Sequence, residues 1–412
     1  MGDTAYMPDF PLSIAQVSEH ASPLAEDIGS TDAGGQNIYV RELSLALAAQ
    51  GHHVTVFTRR TSPHQPARVR LAPRVQVIHI PAGPARQLPK EDLAPLMGDF
   101  GDQLALHWQE EPPDLVHAHY WMSGIAALAG TRRTAIPVVT TFHALGLERI
   151  AYHPTPHQTI NERERVGSER AVGQVADAII ALTPEEVDYL TGPNGIPPSK
   201  ITTIPVGVNL DRFTPHGDAF PRNDRLRVVT VGRMVPRKGV DTVIGGFAQV
   251  AETFNAELLI AGGPAPDALS ADPTVRRLRD RARRLEVDSR TEFLGRISHK
   301  RVPELLRSAD IFVCAPHYEP FGTAALEAAA CGIPVIASAV GGLKHHVHDG
   351  RTGLLIPAAN PDALATALVS LLSSPRTRSN MGAAGAANAD RFSWPVVTGQ
   401  ILGLYQSMLK HR

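Results

Sequence analysis

Arg233 and Lys238 stand five residues apart in Val231-Gly-Arg-Met-Val-Pro-Arg-Lys-Gly239, directly after the apolar run Leu226-Arg-Val-Val-Thr-Val. Two cations fixed on a loop that leaves a strand's carboxyl end would neutralise the charge growing on a departing diphosphate. Arg237, beside them, reads as a solvated neighbour. Glu319 and Glu327 make a second pair, in Tyr318-Glu-Pro-Phe-Gly-Thr-Ala-Ala-Leu-Glu327. A carboxylate accepts hydrogen bonds from vicinal sugar hydroxyls, so Glu319 suits a hexose and Glu327 a ribose. The backbone N–H groups of Phe321, Gly322 and Thr323, at the start of a helix, suit a phosphate. The competing reading, a capping box with an exposed glutamate, does not account for Glu327 standing among Ala, Leu and Cys.

Weaker signals lie elsewhere. Gly34 and Gly35, in Asp32-Ala-Gly-Gly-Gln36, precede a helical pattern, where backbone N–H groups could approach a diphosphate. A plain turn and cap explains the same residues equally well. His117, His119 and His143 follow apolar runs and fall at strand carboxyl ends. Of 18 histidines most must be structural, and His143 is the better site candidate by its placement. A zinc site on the three is disfavoured, since no H-E-x-x-H-like spacing supports it.

The elements that must position these residues are legible in outline. Strands are expected at Ser13–Val17, Val54–Thr58, Val75–Ile80, Asp114–His117, Val138–Phe142, Ala178–Leu182 and Ile201–Pro205, with helices at Gln36–Ala49, Glu91–His107 and Glu162–Val175. A second series runs Leu226–Val231, Glu257–Ala261, Thr291–Leu294, Asp310–Cys314, Val335–Ala337 and Gly353–Ile356, with helices at Val240–Glu252, Asp272–Leu285 and Gly322–Cys331. Strands alternating with helices imply right-handed crossovers and parallel sheets covered on both faces. The expected class is therefore α/β, with two Rossmann-like, doubly wound domains facing a cleft and ligands at strand carboxyl ends. The first is expected at residues 1–214, a linker at 215–223 rich in Pro, Gly and charge, and the second at 224–395.

Composition narrows the class further. At 412 residues the chain is long enough for two cores. A formal net charge of −1 excludes a general nucleic-acid binder, which would carry a basic stripe. Two cysteines, Cys314 and Cys331, give neither a disulfide framework nor a metal spacing and read as buried thiols. The N-terminus lacks a basic-then-apolar leader and no run could cross a bilayer, so a cytoplasmic protein is expected. The partners expected are a small-molecule donor and acceptor. The sequence leaves room for a homodimer.

Together these residues resemble glycosyltransferase family 4, retaining enzymes of the two-Rossmann-domain GT-B architecture, over nearly the whole chain. Glu319 and Glu327 resemble the family's paired glutamates, Arg233 and Lys238 its diphosphate-binding cations, and His143 its histidine on the transferred sugar; the resemblance also implies the loop at Gly295 and Arg296 as the place where backbone groups read the nucleotide base. The resemblance implies transfer from a nucleotide diphosphate sugar, with UDP-linked glucose or N-acetylglucosamine the expected donor, by a front-face reaction with net retention. It implies no metal and no cofactor beyond the donor, with the leaving diphosphate helping to deprotonate the acceptor. Phe392-Ser-Trp-Pro395 resembles the family's ending, which implies that a last helix, 396–412, returns to the first domain.

Within the family, Ser18-Glu-His-Ala-Ser-Pro-Leu24 and Asp32-Ala-Gly-Gly-Gln-Asn-Ile-Tyr-Val40 resemble inositol-phosphate N-acetylglucosaminyltransferases and the sucrose and sucrose-phosphate synthases. This implies Lys90, Tyr120 and Arg165 as the grip on an acceptor phosphate, with Gln36 and Asn37 beside them. A lysine, a phenol and an arginine converging on a dianion is sound chemistry. Ala144 replaces a threonine of the first group, and Val206 and His317 also depart from the pattern, changes that bear on acceptor identity. A synthase or phosphorylase running toward sugar-nucleotide formation and a non-catalytic nucleotide-sugar binder are the alternatives. The presence of both cation and glutamate pairs counts against the second.

Overall fold

The computed structural model describes residues 11–25, 34–151 and 160–410, and the chain divides into two compact units. Asp32 lies outside the described residues. Of the described residues, one unit takes in 11–24, 36–151, 160–205 and 395–410, and the other 25, 34–35 and 206–394.

The first unit is built on β1 (Ser13–Val17), β2 (His53–Arg59), β3 (Arg68–Ala72), β4 (Val75–Ile80), β5 (Leu115–His119), β6 (Val138–Thr141), β7 (Ala178–Ala181) and β8 (Ile201–Thr203). Their order is β3-β4-β2-β1-β5-β6-β7-β8. All pairs are parallel except β3 with β4. The antiparallel β3 is not among the expected strands. It sits at the sheet edge, carries Arg68 and Arg70 and has no fully buried residue, so it leaves little apolar signal.

Parallel strands need both faces covered. The helix Gly35–Ala49 buries Tyr39, Val40, Leu43 and Leu47, one stripe at helical spacing. The expected helix Glu91–His107 is instead two single 3-10 turns, Lys90–Asp92 and Ala94–Leu96, followed by a helix at Met97–Glu110. Pro95, which has no N–H to give, sits in the second turn and makes the helix restart after it. The chain runs outward from β1 to β4, then crosses back to β5. Strand order therefore reverses between β1 and β5, where ligands of such sheets bind.

The second unit contains β9 (Leu226–Val231), β10 (Ala256–Ala261), β11 (Thr291–Gly295), β12 (Ile311–Cys314), β13 (Val335–Ser338) and β14 (Gly353–Ile356), in the order β11-β10-β9-β12-β13-β14. Its pairs are all parallel, and order reverses between β9 and β12. The helix expected to reach Glu252 ends at Ala248, ahead of a turn closed by Asn255 at φ 43°. Pro361–Leu372 shows why a helix starts where it does: Asn360 Oδ1 accepts from Ala363 N at 2.9 Å, and Pro361 fills the first position.

The segment Val206–Phe213 groups with the second unit, ahead of the linker expected at 215–223. Val208 N donates to Phe392 O at 2.7 Å, and Val208 pairs with Ser393. Gly207 lies so close to Trp394 that a Cβ would meet the ring at 2.5 Å. Cys314 and Cys331 are free and buried, and burial pushes both thiols up to about 12. No helix among the described residues is long and apolar enough to cross a membrane.

Candidate functional site

In the second unit Arg233 and Lys238 gather around Glu319 at the carboxyl ends of β9 and β12. Gly239, at φ 64°, ends the short Pro236–Lys238 turn, and a Cβ there would lie 1.9 Å from Ala315 O. Only glycine allows the loop from β9 to lie against the end of β12 in this way. The approach brings Lys238 Nζ into an ion pair with Glu319 Oε2. Burial alone would raise the Glu319 carboxyl, but Lys238, Arg237 and Arg233 together hold it below the usual range. Arg237 is thus not merely the solvated neighbour its sequence suggests. Its Nη1 donates to Tyr318 O at 3.2 Å, and its backbone carbonyl accepts from His317 N at 2.8 Å.

The helix Thr323–Ala330 begins at Gly322, whose φ of 94° excludes most side chains. Its N-terminus has no side-chain cap and no acid in its first turn, leaving Phe321, Gly322 and Thr323 as the expected phosphate cradle. Phe321 stacks on His346 at 5.1 Å, and burial lowers the His346 imidazole to about 4, so it is neutral near pH 7. Glu327 is buried at 6% exposure, which rules out the exposed-cap reading. Its Oε1 accepts from His299 Nε2 at 3.0 Å, and His299 Nδ1 accepts from Arg212 Nη1 at 2.8 Å. Nothing in the sequence singles out His299 or Arg212. Gly295 closes β11 at φ 71°, Arg296 N donates to Pro264 O at 2.8 Å, and Arg296 Nε is buried with no partner among the described residues.

In the first unit the strand ends of β1, β5 and β6 converge on a second cluster. Tyr120, just past β5, adopts φ 85° and ψ 157°, a conformation almost confined to glycine. His143, just past β6, has φ 62°. Such backbone costs of order 1–3 kcal/mol per residue and persists only where neighbours over-determine it. Lys90 Nζ lies 3.7 Å from the Tyr120 ring centroid and the Arg165 guanidinium 5.1 Å from it. The three residues assigned to an acceptor phosphate are therefore brought together. Arg165 is steadied by Glu169 at 2.7 Å and by Ala144 O.

The histidines do not converge on one point. His117 is fully occupied, Nδ1 by the Tyr405 hydroxyl at 2.7 Å and Nε2 by Thr141 Oγ1 at 2.8 Å. His119 Nδ1 faces His143 Nε2 at 3.1 Å, which leaves His143 Nδ1 without a hydrogen bond among the described residues. Burial lowers His117 to about 3 and holds His119 and His143 well below the usual range, so all three are neutral at pH 7. Tyr39 packs edge-on against His143 at 4.9 Å. Among the described residues no group of three His, Cys, Asp or Glu is arranged to hold a metal ion.

Gln36 and Asn37 are engaged partly inside the fold. Gln36 Nε2 donates to His119 O at the end of β5 at 3.1 Å, and Asn37 Nδ2 donates to Ser22 O at 3.0 Å, fixing the loop after β1. That loop carries a residue whose place the sequence does not mark. Glu19 is 1% exposed, accepts from the Ser123 hydroxyl and pairs with His20. Burial would raise its carboxyl, but His20, the Ser123 hydrogen bond and Lys90 hold it below the ordinary range. Gly34 and Gly35 differ from Gly239: among the described residues a Cβ on either meets nothing within 4 Å.

Family models match both halves of the chain, Glycosyltransferase Family 4 over residues 33–212 and Glycosyl transferases group 1 over 214–388. The chain is 37% identical to the D-inositol 3-phosphate glycosyltransferase of Kribbella flavida, over 97% of this chain and 96% of that one. It is 35% identical to D-inositol 3-phosphate glycosyltransferase 2 of Catenulispora acidiphila, over 98% and 97% of the two chains. Among solved structures it resembles a sucrose-phosphate synthase from Thermosynechococcus elongatus, with TM-score 0.89 and 34% identity over 97% of this chain and 99% of that one. The architecture is the two-domain, Rossmann-like GT-B fold.

Proposed function

The chain belongs to glycosyltransferase family 4, and on that premise we propose that it moves glucose or N-acetylglucosamine from a UDP-sugar to a small phosphorylated acceptor with retention. The observation that carries the acceptor class is Lys90 and Arg165 flanking the strained Tyr120. Two cations around a phenol suit a phosphate dianion far better than a neutral sugar. The names of the relatives, a D-inositol 3-phosphate glycosyltransferase and a sucrose-phosphate synthase, point to the same phosphorylated class.

In the proposed reaction the acceptor hydroxyl attacks the anomeric carbon on the face from which the diphosphate departs. The C–O bond to the β-phosphate breaks, and a departing phosphate oxygen takes the hydroxyl proton. Lys238 and Arg233 offset the charge that develops on that diphosphate, Glu319 holds the hexose and Glu327 the ribose. The Thr323–Ala330 helix N-terminus, with Phe321 and Gly322, would take phosphate oxygens, and the Gly295–Arg296 loop the base. Neutral His143 can hydrogen-bond a sugar hydroxyl but carries no charge with which to protonate a leaving group at pH 7. The cations supply the electrostatic stabilisation a metal would otherwise give, so turnover is expected without one.

UDP release is measured with UDP-glucose and UDP-N-acetylglucosamine against inositol phosphates, hexose phosphates and their dephosphorylated forms. Turnover with phosphorylated acceptors, retained in EDTA, with an α-linked product by NMR and lost in Glu319→Ala, is the expected result. Equal turnover of dephosphorylated acceptors would refute the acceptor class. An inverted product would refute retention, and full loss in EDTA the metal-free reaction.

A further inference from the structure

We propose that His299 is a positioning residue for the donor, presenting Glu327 to the nucleotide ribose with one carboxylate oxygen held and the other open. The proposal rests on the assignment of Glu327 to the ribose made above. His299 sits on the 3-10 turn after β11, and Glu327 in the middle of the helix after β12. The two are 28 residues apart in sequence, yet His299 Nε2 lies 3.0 Å from Glu327 Oε1.

The direction of the chain is set from its far end. Arg212 Nη1 lies 2.8 Å from His299 Nδ1, and a guanidinium can only donate. Nδ1 must therefore accept, which places the ring proton on Nε2 and makes Nε2 the donor to Glu327. An imidazole in the other tautomer would turn a lone pair toward the carboxylate. Phe213 packs against the His299 ring at 5.4 Å and holds its plane. Arg212 follows the turn at Asn209, whose side chain accepts from the Arg212 N–H at 3.2 Å.

The consequence falls on the remaining oxygen. Glu327 is buried on an alanine-rich helix, where a free carboxylate could choose among rotamers or bond to its own surroundings. Holding Oε1 fixes the rotamer, and Oε2 makes no hydrogen bond among the described residues. The one oxygen left is thus oriented in advance for the ribose 2′-hydroxyl. Such a relay acts on binding of the ribose and is silent toward nucleotides that lack the hydroxyl.

Calorimetry on the full chain, with UDP and 2′-deoxy-UDP, tests this on wild type, Glu327→Ala, His299→Phe and His299→Gln. If the protein prefers another base, the corresponding ribose and deoxyribose pair serves. His299→Phe keeps the ring packing and removes the donor. It should weaken UDP binding roughly tenfold while changing 2′-deoxy-UDP little, and raise the donor KM more than it lowers kcat. Gln, which accepts from Arg212 and donates to Glu327, should recover much of the loss. Equal weakening of both nucleotides by Phe, or no rescue by Gln, would mean a merely structural role and overturn the proposal. UDP binding intact in His299→Phe but lost in Glu327→Ala would also overturn it, leaving the donor reading standing. Intact binding in Glu327→Ala would refute the ribose assignment itself.

Discussion

Glu186 gives the sharpest quantitative test of the first unit, because its surroundings force a carboxyl to stay neutral. It is 4% exposed, in the helix Pro184–Thr191 just past β7, and shares its neighbourhood with Glu148 and Glu169. Burial first, then the charges of Glu148 and Glu169, raise it from 4.5 to about 8, against the opposing hydrogen bond from Leu182 N at 2.7 Å. The raised value makes the folded state bind the proton more tightly than the unfolded state. Stability from this group is therefore whole below pH 4.5 and is lost as pH rises toward 8.

Across that window the loss reaches about 5 kcal/mol, since each tenfold change in proton affinity is worth about 1.4 kcal/mol. Between about pH 6 and pH 8 alone it amounts to about 2 kcal/mol by the same linkage. Glu186→Gln keeps an acceptor for Leu182 N but has no proton to lose, so it removes this pH dependence. Melting curves of wild type and variant should diverge with pH. The variant should gain about 5 °C on wild type between about pH 6 and pH 8, for a domain of this size. A difference in Tm that is the same at both pH values would refute the neutral Glu186 and the buried acidic cluster behind it.

Lys238→Met removes the nearest cation from Glu319 and should cut kcat/KM by roughly a hundredfold, with far-UV dichroism unchanged; initial rates with the identified donor check this. Gly239→Ala and Gly34→Ala should separate fold from ligand. The first puts a Cβ 1.9 Å from Ala315 O at φ 64° and should cost at least about 2 kcal/mol by chemical denaturation. The second meets nothing within 4 Å among the described residues and should leave Tm unchanged while slowing turnover by placing a methyl group where ligand atoms approach.

The fold is largely legible because parallel strands buried on both faces write continuous apolar runs. Val228 to Thr230 and Ile311 to Cys314 are buried throughout, a pattern that an element with one face in water does not write. Where the signal fails, a physical reason is visible. The edge strand β3 faces water with Arg68 and Arg70, so pairing with β4 fixes it rather than burial. Pro95 cuts one apparent helical period into two turns and a helix. The segment after β8 reads in sequence as continuous with the first domain yet groups with the second unit. Nothing local marks Gly207 as the residue that lets Trp394 pack onto it.

The site divides along the same line. Arg233, Lys238, Glu319 and Glu327 stand out in sequence as charged side chains among apolar or glycine-rich neighbours, and the fold pairs Lys238 with Glu319 and buries Glu327. The groups that orient them carry no such mark. His299 and Arg212, in line behind Glu327, are ordinary polar residues in sequence, 28 and 87 positions from the groups they meet, and Ser123, 104 positions from Glu19, is another such case. Arg237 misleads for the converse reason: its role depends on the Gly239 turn bringing it to Tyr318 O, which residue type alone does not report. A carboxylate's chemistry follows from its own identity, but its direction follows from donors that only the fold brings near. Glu19 is an instance: its carboxylate is turned as it is only because the fold brings Ser123, 104 positions away, to meet it.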